Sequence, residues 1–114
     1  VLVSTDELCD WVKDDVNITL PKCEISTKKE DKRVYGVYGG HDDDGDIQVL
    51  SLGTGLILVT DEGGAIEIGD MLCTSSIPGY AMKYTSTDLS VVGFKARQEH
   101  KSGKGKIACT IISG

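Results

Sequence analysis

Leu52-Gly53-Thr54-Gly55-Leu56-Ile57-Leu58-Val59-Thr60 leads into Asp61-Glu62-Gly63-Gly64 and then into Ala65-Ile66-Glu67-Ile68. Aliphatic and β-branched residues run unbroken from Leu56 to Val59, glycines bracket them, and an acidic Gly-Gly turn separates them from an alternating segment. This reads as a buried strand, a turn and a second strand of a meander. Working outward, similar short runs occupy residues 34–38, 47–52, 71–74, 80–84, 89–96 and 106–112. Glycine or Pro78-Gly79 punctuates them at intervals of about ten residues, the spacing of a small all-β domain. The expected fold is all-β, a small barrel or sandwich of seven or eight short strands.

Length and composition agree with that reading. The chain has 114 residues, enough for one small domain. Leu, Ile, Val and Phe together number 30, too many for a disordered chain. All 14 glycines lie between Gly36 and Gly114, singly or in pairs among apolar runs, where turns and bulges need them. Gly36 itself, inside an apolar run, predicts a bulge or a close backbone approach. The glycine-free start divides the chain into a lead-in at residues 1–33 and a β module at 34–114, packed as one structural domain. The chain begins at Val1 without Met, which reads as a fragment or a processed product.

The net charge is −6 and the pI about 4.7, so the general field does not favour nucleic acid or anionic membrane. No apolar stretch approaches the ~20 residues of a membrane helix, so membrane insertion is not expected. Residues 1–46 hold 12 acids and 6 bases, whereas Lys101, Lys104 and Lys106 cluster near the other end with Glu99. The lysine cluster, beside Gly103 and Gly105, reads as a solvated hairpin turn. The mixed run Lys28-Lys29-Glu30-Asp31-Lys32-Arg33 reads as a solvated loop.

Residues 4–16 are the ambiguous part. Ser4 or Thr5 before Asp6 and Glu7 resembles a helix start, and Leu8, Trp11, Val12 and Val16 follow at helical spacing. A short N-terminal helix is the preferred reading and an extended segment the competing one; Pro21 is expected to end either. Cys9 and Cys23 could pair in an oxidising compartment, while Cys73 and Cys109 sit in apolar runs and read as buried hydrophobes. The absence of a Cys-x-x-Cys spacing weakens zinc and redox readings. Asn17-Ile18-Thr19 is a formal glycosylation sequon.

Chemistry-bearing patterns are sparse, and no cofactor is expected. Asp42, Asp44 and Asp46 flank Gly45, a weak candidate cation loop without the EF-hand spacing. Gly53-Thr54-Gly55 opens a strand rather than a helix and so lacks the amide cradle of a phosphate loop. His41 and His100 have no recognisable nucleophile context. Cys73-Thr74-Ser75-Ser76 is the one dense nucleophile run, and its place before Pro78-Gly79 suggests hydroxyls that satisfy turn backbone. Glu67 and Asp70 offer no reason to expect a cleft between paired carboxylates.

Several motifs together resemble a β-rich module of viral fibre proteins, notably phage tail fibres and neck appendages. The most specific is Gly69-Asp70-Met71-Leu72-Cys73-Thr74-Ser75-Ser76-Ile77-Pro78-Gly79-Tyr80-Ala81-Met82-Lys83. Arg33-Val34-Tyr35-Gly36-Val37, the stretch from Leu52 to Thr60, Val92-Gly93-Phe94-Lys95-Ala96 and the run from Gly105 to Ile112 accompany it. The match covers about two thirds of the chain and departs from the pattern at Gly93-Phe94. The resemblance implies a non-enzymatic structural domain of a virion, assembled as a homotrimer with other virion proteins around it. It leaves room for a host-surface glycan or receptor contact.

On that basis Leu56, Leu58 and Ile66 are candidates for core or interface. Tyr35, Tyr38, Tyr80 and Tyr84 are candidates for receptor contact in an alternative reading as a monomeric glycan- or receptor-binding module. A second alternative, a self-processing domain, would use Cys73 or Ser75 as nucleophile.

Overall fold

A computed structural model describes residues 1–13, 16–41, 43 and 47–112. Nine strands are present among them: β1 (Leu2–Lys13), β2 (Val16–Ile25), β3 (Val34–His41), β4 (Ile47–Leu50), β5 (Gly53–Thr60), β6 (Met71–Thr74), β7 (Ala81–Lys83), β8 (Phe94–Ala96) and β9 (Lys104–Ile111). The first four form an open sheet in the order β2-β1-β3-β4, and the last five close into a barrel in the order β5-β7-β6-β8-β9. The all-β expectation holds. The boundary between the sheets falls between Leu50 and Gly53, because β3 pairs with β1 of the lead-in and β4 pairs with β3, not with the barrel.

The longest barrel ladder joins β5 to β9, antiparallel from Gly53 opposite Ile111 to Thr60 opposite Lys104. The period of two sends Ile57, Val59, Ile107, Cys109 and Ile111 inward. They meet Leu72, Ala81, Phe94, Ala96 and Ile66 in a core whose aromatic member is Phe94. Val34 and Val37 of the open sheet join the same core, so the two sheets share one apolar interior. Residues 65–68 are not a strand. Ile66 alone of them pairs, exchanging backbone bonds with His100 at 2.7 and 2.9 Å.

In place of the helix expected over residues 4–16, residues 4–13 belong to strand β1 and Val16 opens β2. Its cap signal has another use: the Thr5 hydroxyl donates across the ladder to the Lys22 carbonyl at 2.9 Å and accepts the Glu7 amide at 3.2 Å. Residues 16–25 supply a complete partner strand, and the register shift between Ser4 and Leu8 absorbs the polar Thr5-Asp6-Glu7 segment. Pro21 does not terminate anything; it sits within β2 opposite Leu8. It is tolerated there because β2 is an edge strand, where a missing N–H breaks no ladder bond.

Two glycine expectations are met. A Cβ on Gly36 would stand 2.3 Å from the Leu50 carbonyl oxygen, so β3 and β4 approach as they do because the side chain is absent. Gly79 has φ +81, and Tyr80 N–H closes the turn on the Ile77 carbonyl at 3.1 Å.

The open sheet is fastened to the barrel through the loop at residues 26–33, which is not the solvated loop its charges suggest. The Asp31 amide donates to the Thr74 hydroxyl at 2.7 Å, and that hydroxyl donates to the Lys28 carbonyl at 2.7 Å. The Glu30 amide reaches the Thr74 carbonyl at 3.0 Å, and the Gly79 amide reaches the Ser26 carbonyl at 2.8 Å. Asp31 is only 4% exposed, and Arg33 grips its carboxylate through Nε and Nη2 at 2.8–3.2 Å. The charged run is thus a fastening strip whose lysines face out and whose aspartate faces in.

Thr74→Val keeps the shape but strands the Asp31 amide and the Lys28 carbonyl, and is expected to cost about 1–3 kcal/mol in urea unfolding. Thr54→Val, at an exposed hydroxyl pair with Thr110, should stay within about 0.5 kcal/mol.

Candidate interaction surface

The run Cys73-Thr74-Ser75-Ser76 lies where β6 ends and the Pro-Gly turn begins. Each hydroxyl has a structural partner. Thr74 holds the 28–31 loop, as above. Ser75 is buried and donates to the Tyr80 carbonyl at 2.7 Å while accepting the Ile77 amide at 3.2 Å. The Ser76 hydroxyl and amide both donate to Glu62, and those bonds hold the Glu62 carboxyl below its ordinary pKa. Cys73 is fully buried beside Met82 and Val91, and burial pushes its thiol up to about 12. Cys109 is buried in the barrel and pushed up to about 11 for the same reason. A buried neutral thiol is a weak nucleophile, and each hydroxyl of the run is engaged within the fold.

The four tyrosines are distributed over two sheets. Tyr35, half-buried, and Tyr38, exposed, both lie on β3. Tyr38 is exposed and meets His41 edge-on, with its hydroxyl on Nδ1. Tyr80 lies under the Lys104 ammonium at 5.4 Å. Tyr84 packs against the Cys73, Met82 and Val91 cluster, and desolvation raises its phenol pKa. Asp42, Asp44 and Asp46 lie outside the described residues, and nothing is described of the Asn17 side chain. Cys9 stands opposite Leu20 and Cys23 opposite Ser4 in the β1–β2 register.

Lys28, Glu30, Asp31, Lys32, Arg33, Asp88 and Val91 line a cleft of about 220 Å³. Three cations face three carboxylates there, and Arg33 is already bound to Asp31, so the cleft presents no field of one sign to a charged ligand.

The distinctive surface is on the barrel's outer wall. The unbroken apolar run in β5 predicts a strand buried on both faces; the structure buries one. Ile57 and Val59 point in, whereas Leu56 is 65% exposed and Leu58 37%. Of the three candidates for core or interface, Ile66 is core and Leu56 and Leu58 are on the outside. The reason is where the open sheet attaches: it reaches the barrel through Val34, Val37 and the Thr74 fastening, and leaves the outer face of β5 bare. Leu56 stands opposite Ala108 and Leu58 opposite Lys106. Leu52, 73% exposed, and Ile112, 48% exposed, stand one residue beyond the last ladder pair. The result is a stripe about 20 Å long, its aliphatic side chains on either side of the exposed Thr54–Thr110 hydroxyl pair and Lys104 and Lys106 at one end. Neither the unbroken apolar run nor its period told which face would be bare, since that depends on where another sheet docks.

No family model, no curated protein and no solved structure matches the chain.

Two outcomes follow from this geometry. Cys73 and Cys109 are expected to resist iodoacetamide in the native protein at pH 8 and to react fully in denaturant, as peptide mass spectrometry would read. The Asp31 carboxyl is held below its ordinary value of 3.8, chiefly by the Arg33 side-chain hydrogen bond. It therefore adds stability that is complete above that value and is lost as pH falls through the folded-state pKa. Asp31→Asn should lower Tm at neutral pH and flatten the loss of Tm below pH 3.8.

Proposed function

We propose that this domain is a structural assembly module of a virion surface appendage, of the tail-fibre kind, and that it works by associating with copies of itself as a homotrimer. What supports the virion setting is the resemblance carried by Gly69 to Lys83. What supports assembly is the outer β5–β9 stripe. Four exposed aliphatic side chains on one wall of a small barrel are more than isolated surface leucines. Covering them removes the equivalent of about two whole aliphatic side chains from water, worth roughly 3–6 kcal/mol per copy. The buried thiols and engaged hydroxyls favour this reading over self-processing. Exposed Tyr38 with His41 supports a host-surface contact as an added role of the assembled module, read by loss of glycan-array binding in Tyr38→Ala.

The single observation that carries the proposal is the bare stripe, and solution mass tests it. Light scattering on the wild-type chain is expected to give a trimer, and Leu56→Glu, at an already exposed position, a folded monomer. A wild-type monomer at every concentration would sink the proposal.

A further inference from the structure

Resting on that assembly reading, we propose that the β1–β2 ribbon of one copy lies across the β5–β9 stripe of a second copy. The first observation is the ribbon itself. Among the described residues, β1 pairs with β3 only at Leu2 and Val3; from Leu8 to Lys13 its ladder lies on β2 alone. An isolated two-stranded ribbon is marginal in water. It also carries apolar side chains that its own copy leaves exposed. Leu8 is 64% exposed on the face it shares with Pro21, and Leu20 is exposed on the opposite face. The molecule measures 47 × 24 × 20 Å, long enough in one direction for an element to reach beyond its own core.

The second observation is charge. β1 brings Asp6, Glu7 and Asp10 against Lys13, and β2 brings Glu24 against Lys22, a net acidic balance; the ion pair of the exposed Glu7 and Lys22 is a loose 3.8 Å. The outward positions of the stripe, from Thr54 to Leu58 on β5 and from Lys104 to Thr110 on β9, include two lysines and no carboxylate. An acidic, leucine-bearing ribbon and a basic, leucine-bearing stripe complement each other.

The third is size. A stable interface removes about 800 Å² from each partner, more than four partly exposed aliphatic side chains can supply, so the stripe needs an extended partner. Leu56 and Leu58 project from the barrel's outer face and not from a ladder edge. The partner must lay a side-chain face on the stripe, which a ribbon does. Ribbon and stripe are different surfaces of one chain. In a homotrimer such a contact is heterologous, ribbon to stripe, and three copies close it into a ring.

Charge reversal tests this on the full chain by analytical ultracentrifugation at low salt. Asp6→Lys with Glu7→Lys, and separately Lys104→Glu with Lys106→Glu, are each expected to weaken assembly at least about tenfold. The chain carrying all four reversals should assemble like the wild type. Leu8→Ser should weaken assembly as Leu56→Glu does, with circular dichroism unchanged. If the stripe variants dissociate the oligomer while the ribbon variants and Leu8→Ser leave it intact, the ribbon is not the occupant and this inference falls, although the assembly reading survives. Failure of the fourfold variant to recover, with its circular dichroism intact, would likewise overturn the pairing. A wild-type monomer would overturn both.

Discussion

Closure of five short strands into a barrel governs the rest of this molecule. A closed barrel has no hydrogen-bonding edge, so whatever attaches to it must do so through side chains and loops. The open sheet does this where the Thr74 hydroxyl lies between the Asp31 amide and the Lys28 carbonyl and where the Gly79 amide meets the Ser26 carbonyl. Val34 and Val37 then complete the barrel's apolar core from outside the barrel's own strands. The five-stranded interior is narrow, and it is filled by aliphatic residues around Phe94 with alanine and cysteine where space is short.

That same closure explains the exposed stripe. The apolar residues of β5 exceed what one face can bury, and the barrel cannot hide the surplus by adding a strand. The open sheet docks elsewhere, so Leu52, Leu56, Leu58 and Ile112 stay in contact with water. The β1–β2 ribbon is held to the rest of the chain near Val1 to Ser4 and Glu24, and from Leu8 to Lys13 its ladder lies on β2 alone. Two incompletely covered elements of opposite charge in one chain are the physical basis for reading the domain as a unit of a larger assembly.

The dense hydroxyl run shows how chemistry-bearing residues can be wholly structural. Thr74, Ser75 and Ser76 stand in a row, yet each is turned to a different neighbour: the 28–31 loop, the Pro-Gly turn and Glu62. The charged run at 28–33 makes the same point in reverse. Its Asp31 is buried and paired with Arg33, so residues that look like solvated surface form the joint between the sheets.

The all-β class, most barrel strands, the Gly36 close approach, the Gly79 turn and the burial of Cys73 and Cys109 were legible in the amino-acid sequence. These depend on local matters: period, β-branching, and the φ freedom of glycine. Three things were not legible. Residues 4–16 carry a helix cap signal and helical spacing, and became a strand because residues 16–25 offer a partner that no local pattern reveals. The buried state of Asp31 depends on Thr74, more than forty residues away. Which face of β5 is bare depends on where the other sheet docks, and with it the candidate surface. Local residue patterns by themselves determined strands, turns and an apolar surplus. Only the tertiary structure decided where that surplus lies, because burial is a property of neighbours brought together by folding and not of the segment that carries it.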